Sequence, residues 1–320
     1  MQKNLIIGLF ITLFIVGISF WLIFSQIPFI SISQLFVKLH KGYLLLSLLS
    51  LWLFHTCDTL RVWLISRAIG INYSPFYGYL ISVVSTFGAT ITPAHVGGDI
   101  LPFYTIKRKG DYEFHQIMSV ITLKSVAGLF FYIVFLPWTI KALLERPEQA
   151  KEFLFILLSI LSLSGLIFFT WQILIKKNKH LSGHILIRRI QKIFLNYLRT
   201  CRVFFKNRKS IFFVSVLLSF GLYIFLIFIG VFLVKAFSPK APMREIFLSQ
   251  LPLIYAIFIS PTPGGSGVGE LGALPIFKPF LPLSYLGTFA LLWRVLSEYL
   301  SAAIGGLSLF ILVLKDLAKR

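Results

Sequence analysis

The chain is 320 residues long, 57% hydrophobic and only 13% charged, where a soluble domain carries about a quarter charged residues. That balance excludes a soluble domain and predicts an all-α, multi-pass transmembrane helical bundle, a single integral membrane domain over 1–320. The net charge of +20 does not argue for nucleic acid in so apolar a chain; basic residues there hold loops on the cytoplasmic side and meet anionic lipid.

In chain order, the first span is expected at 4–24. The run Leu5 to Phe24 is too long for a signal-peptide core and lacks an A-x-A-like cleavage site, so it reads as a retained helix. Further spans are expected at 43–65, 114–138, 153–175, 211–235 and 285–314. Two regions are apolar yet broken: 76–106, "FYGYLISVVSTFGATITPAHVGGDILPFYTI", and 245–280, which holds "ISPTPGGSGVGELGALP". Each has an apolar run, a Thr-Pro/Gly-Gly break, an acid and a second short apolar run. Neither half is long enough to span alone. The loop at 176–210 repeats Leu186, Ile190, Ile193, Phe194, Tyr197, Leu198, Cys201, Phe204 and Phe205 at helical spacing among arginines and lysines. That pattern predicts a helix in the cytoplasmic headgroup layer, with a solvated helical hairpin as the alternative.

Lys and Arg outside the spans divide into 19 in the loops at 1–3, 66–112, 176–210 and 315–320, against 8 in the loops at 25–42, 139–152 and 236–284. The positive-inside rule then places both termini in the cytoplasm. With that orientation the two broken regions, each flanked by two spans, enter from opposite sides. The expectation is an inverted repeat, about 43–138 and 211–314, with two re-entrant hairpins as in secondary transporters.

Irregular backbone at membrane depth is tolerated only where protein buries it or a wet cavity reaches it. The tips "TPAHVGGD" (92–99) and "PTPGGSGVGE" (261–270) are therefore expected to line a cavity. Gly97, Gly98, Gly264, Gly265 and Gly267 would let the backbone turn and leave N–H groups accessible. Asp99 and Glu270 would stand at the N-termini of the following half-helices, which favour anions. Glu270 reads equally as a built-in cap or a proton acceptor, and each tip reads also as a structural turn capped by an acid. Among intramembrane charges, Asp58 and Arg61 are three apart and Arg294 and Glu298 four apart, so each couple can pair on its own helix. Lys124 has no carboxylate within one turn. It is a candidate for a phosphate contact, or for an ion pair with Asp99 or Glu270. Cys57 and Cys201 imply neither a disulfide framework nor a zinc site, and the six histidines show no ligand spacing. No cofactor is expected.

The segments "SPTPGGSGVGE" (260–270) and "TPAHVGGDILPFYTIKRKG" (92–110) resemble the membrane domain of lysylphosphatidylglycerol synthases and their stand-alone, flippase-like relatives. Family members often carry Glu in place of Asp99 and an Arg near the position of Pro102. The resemblance implies a helical bundle with re-entrant hairpins that moves a lipid between leaflets of the cell membrane. The synthases attach a soluble aminoacyl-transferase domain after the membrane part. This chain ends six residues after its last expected span, so no such activity is expected of it. The expected partners are the bilayer and an anionic lipid, a phospholipid or a polyprenyl-phosphate-linked lipid. Lys124 and Arg294 would meet its phosphate, and Asp99, Glu270 and Glu298 would hold cations or exchange protons. A homo-oligomer is compatible with the sequence. With no ATP-binding P-loop, transport is expected to be ion-coupled or passive. Two alternatives stand beside this: a lipid-phosphate enzyme with Ser266 as nucleophile, and a small-solute secondary transporter.

Overall fold

The computed structural model describes residues 39–92, 95–145 and 184–317, with isolated positions between 147 and 162. The expected span at 4–24 and nearly all of that at 153–175 lie outside the described residues, as does Pro93. The described chain is all-helical. α1 runs Lys41–Ile69, α2 Pro75–Ile91, α3 Gly97–Lys107 and α4 Phe114–Glu145. α5 runs His184–Asn207, α6 Lys209–Phe237, α7 Met243–Ile259 and α8 Val268–Phe277. α9, Leu283–Arg294, continues through a widened turn at Val295–Tyr299 into α10, Leu300–Leu317.

Four of these helices are long and apolar enough to cross a membrane: α1, α4, α6 and the combined Leu283–Asp316. The protein is a polytopic helical bundle. Its outer surface keeps large apolar side chains uncovered, among them Leu45, Ile133, Leu307 and Phe310. Such faces cost little against hydrocarbon and much against water.

α2 and α3 are 17 and 11 residues long, about 26 and 17 Å at 1.5 Å per residue. α7 and α8 are 17 and 10 residues. All fall short of the roughly 30 Å hydrocarbon thickness. Each pair packs on itself across its break. In the first pair, glycines let the backbones touch: a Cβ at Gly88 would lie 2.2 Å from the Gly97 carbonyl oxygen, and one at Gly97 would lie 2.3 Å from that of Gly88. In the second, Gly264, Gly265 and Gly267 take φ of 59°, 64° and 85°, left-handed conformations that other residues rarely adopt.

The two breaks meet. The turn at Pro263–Gly265 packs against the end of α2, and a Cβ at Gly264 would come within 3.0 Å of Thr90 Cα. Two apolar cores flank this junction. One joins α1, α2, α3 and α4 through Val62, Ile81, Ile106 and Ile117. The other joins α6, α7, α8 and α9 through Val231, Leu253, Phe277 and Phe289.

Candidate functional site

A cavity of about 1050 Å³ opens between the two halves of the bundle. Most of its wall is apolar and aromatic, from Phe54, Tyr132, Tyr223, Leu226 and Trp293. Into this wall the fold inserts three sets of charged side chains.

The first belongs to α9 and the widened turn. Spacing of four predicts that Arg294 and Glu298 meet, and Arg294 Nη1 lies 2.7 Å from Glu298 Oε2. The partner from the second break is Glu270. Arg294 Nε donates to Glu270 Oε1 at 3.0 Å, and Nη2 donates to the Gly264 carbonyl at 3.1 Å. Glu270 Oε2 accepts from the Gly267 N–H at 2.6 Å, so its carboxylate caps α8 and fills the anion-favouring end of that helix. The Tyr299 hydroxyl also bonds Glu270. Consecutive residues Glu298 and Tyr299 both reach this cluster because the helix widens there: the Leu300 N–H bonds Val295 O, five residues back. Gly269 is needed too, since a Cβ there would lie 2.7 Å from Arg294 Cζ. Glu270 is fully buried and Arg294 is 1% exposed.

The second set is Lys124 on α4, whose Nζ lies 3.2 Å from Asp99 Oδ1 and 3.5 Å from the Gly98 carbonyl. Asp99 is therefore the partner of Lys124, and Glu270 pairs elsewhere. The pair is open to the cavity, with the Asp99 side chain 47% exposed.

The third set is on α1. Arg61 grips Asp58 through Nε at 2.9 Å and Nη2 at 2.8 Å. Nη1 of Arg61 reaches Ser219 Oγ at 3.1 Å. Ser82 Oγ donates to Asp58 Oδ2 at 2.6 Å and lies 2.9 Å from His55 Nδ1, while Nε2 of that ring lies 2.7 Å from Ser301 Oγ. This chain of bonds ties α1, α2, α6 and α10 together.

Of the residues singled out from sequence, Lys124, Gly98, Asp99, Arg294 and Glu298 line the cavity. Glu270, Gly264, Gly265 and Gly267 are buried behind its wall, where Glu270 and the Gly264 carbonyl hold Arg294. Gly97 is buried against Gly88. Sequence reasoning passed over Asp58 and Arg61 as a self-contained pair, yet both face the cavity. It also passed over His95, which lines the cavity from the first break with φ of 58° and a buried Nδ1 that has no hydrogen-bond partner. A polar ring in the middle of a Pro/Gly break is the signal that could have found it. Among the described residues no three His, Cys, Asp or Glu side chains converge to hold a metal.

A comparison with curated proteins gives no match. A family model described as the lysylphosphatidylglycerol synthase TM region matches residues 5–305, which takes in both breaks and every charged group of the cavity, and the chain belongs to that family.

Proposed function

We propose that the protein translocates an anionic lipid between leaflets, an anionic phospholipid or a polyprenyl-phosphate-linked lipid. The observation that carries this reading is the cavity itself. Its wall is apolar enough for acyl or prenyl chains, and its charged groups sit where a phosphate would seek them. Among the described residues three cations, Arg61, Lys124 and Arg294, face the cavity, and each is met by a carboxylate. Lys124 has the most exposed partner in Asp99, so a headgroup phosphate displaces that partner at least cost. Glu298 and Glu270 share one guanidinium, which leaves one carboxylate charge free to accept a proton or to meet a cation; the reading is thus of ion-coupled or passive transport. The two self-packed breaks support two re-entrant hairpins in an inverted repeat. The basic loops argue for a cell-membrane protein with cytoplasmic termini.

Ser266 bears on the phosphatase alternative. Its hydroxyl donates to the Pro263 carbonyl at 2.7 Å and the residue is fully buried, behind the cavity wall rather than in it. That placement favours transport over phosphoryl transfer.

The test is transfer of a headgroup-labelled lipid across reconstituted vesicles. Lys124→Ala and Glu298→Gln are each expected to slow it by roughly tenfold or more, the worth of a charge-assisted hydrogen bond. Unchanged transfer in both variants would sink the reading.

A further inference from the structure

A second cleft, of about 590 Å³, lies where the end of α1, the first turn of α4 and one face of α5 meet. α5 lines it with Asn196, Arg199, Thr200, Val203, Phe204 and Asn207. These positions follow the i, i+3, i+4, i+7 pattern of a single helix face. His115 and Gln116 of α4 and Arg208 at the α5–α6 junction complete the polar rim.

A helix that only covered the bundle would turn its apolar side inward. Here the cleft-facing stripe carries an arginine, a threonine and two asparagines, of which Arg199 and Asn207 remain open to solvent, while Leu195 and Leu198, off that stripe, are 64% and 44% exposed. Phe204, packed in the core with Val62 and Ile117, forms the apolar floor together with Ala68 and Ile69. Neither the Arg199 nor the Arg208 guanidinium has a partner among the described residues. Among the described residues no carboxylate lines the cleft; Glu113, beside it in sequence, bonds His115 Nδ1 at 3.0 Å with its side chain 70% exposed. Two uncompensated guanidiniums above an apolar floor suit a phosphate group. The exposed apolar residues of α5 hold that helix at the membrane surface, and the ends of α1 and α4 lie beside it, so the cleft stands at headgroup level.

We propose that this cleft binds the phosphate of an anionic membrane lipid, at a site separate from the main cavity and whatever that cavity carries. The experiment is native mass spectrometry of the detergent-purified full chain. It is titrated with phosphatidylglycerol and, in parallel, with diacylglycerol of the same acyl chains. All variants are built on Lys124→Ala, so that binding in the main cavity is held constant. Arg199→Gln with Arg208→Gln is expected to lower retention of phosphatidylglycerol by roughly tenfold or more and to leave diacylglycerol unaffected. Arg202→Gln with Lys206→Gln removes the same two charges from outside the cleft-facing stripe and is expected to change neither. The proposal is overturned if the Arg199→Gln, Arg208→Gln variant retains phosphatidylglycerol like its parent, or if Arg202→Gln with Lys206→Gln lowers it equally, since surface charge alone then explains the binding. Inorganic phosphate separates the two sources of the anion. If it raises the melting temperature of the parent but not of the Arg199→Gln, Arg208→Gln variant, the cleft takes a soluble phosphate and the lipid assignment falls. Unaltered elution on size exclusion excludes misfolding of the variants.

Discussion

Arg294→Met tests whether the charge cluster behind the cavity wall is a structural clamp. Arg294 is 1% exposed, and its guanidinium holds Glu298 at 2.7 Å, Glu270 at 3.0 Å and the Gly264 carbonyl at 3.1 Å. Removing one member of a buried ion pair costs about 3–5 kcal/mol, chiefly because the other is left uncompensated. Here two carboxylates are stranded, and the upper end of that range is expected. Glu270→Gln is milder. Its single carbonyl oxygen can satisfy the Gly267 N–H or Arg294 Nε but not both, an orphaned donor that costs about 1–3 kcal/mol. Heating a membrane protein in detergent is commonly irreversible, so the assay is the half-life of the folded fraction at fixed temperature. A third variant decides the matter: Arg294→Met combined with Glu270→Gln and Glu298→Gln. Replacing a whole buried ionic cluster with neutral groups of similar volume is often near-neutral in stability. The triple variant should therefore regain most of what Arg294→Met loses, while lipid transfer stays abolished. A triple variant no more stable than Arg294→Met alone refutes the reasoning, because stranded carboxylates would then not be the cause of the loss.

Gly88→Ala should separate α2 from α3, since the new Cβ meets backbone at 2.2 Å and backbone cannot swing aside; a loss of about 1–3 kcal/mol would appear as a lower apparent melting temperature. Gly264→Ala should lower stability and transport together: a φ of 59° strains any residue with a Cβ, and that Cβ would meet Glu298 Oε1 at 2.4 Å and Thr90 Cα at 3.0 Å, so both the folded half-life and lipid transfer should fall. Asp58→Asn keeps the shape but removes the charge that Arg61 grips, with an expected cost of about 3–5 kcal/mol that Asp58→Asn combined with Arg61→Met largely reverses. Arg108→Gln breaks the contact with Asp316 at 2.7 Å, but both side chains are partly exposed, so less than about 1 kcal/mol is expected and the folded half-life should hardly move.

Much of the architecture is legible in the residues. Apolar runs predict α1, α4, α6 and the last span, and the Pro/Gly stretches predict the two breaks. Spacings of three and four predict Asp58–Arg61 and Arg294–Glu298. The core of the cluster was harder to read. Glu270 and Arg294 are 24 positions apart, and no periodicity links residues on different helices. Tyr299 reaches the same carboxylate only because the helix widens at Val295, and neither Gly nor Pro marks that turn in the sequence. The glycines of the second break were expected to face a cavity, as N–H groups awaiting a ligand. Three of them instead adopt left-handed turns that bring Glu270 under Arg294, so the anion at that helix end is the protein's own.

The breaks themselves show how an interrupted helix survives away from water. A bare carbonyl or N–H in hydrocarbon costs several kcal/mol, so each turn must satisfy its own backbone. In both halves the residue that does this is the threonine immediately before a proline. Thr92 Oγ1 donates to the Gly88 carbonyl at 2.7 Å and accepts from the Gly97 N–H at 2.6 Å. Thr262 Oγ1 donates to the Ser266 carbonyl at 2.9 Å and lies 2.7 Å from Ser260 Oγ. In each break the threonine hydroxyl thus serves backbone groups that the interrupted helix leaves open. In the second half Arg294 goes further, spending one guanidinium nitrogen on the Gly264 carbonyl. The same side chain thus seals the break, clamps Glu270 and holds Glu298 at the cavity wall, so the stability of the turn and the charge that lines the cavity are set by one residue.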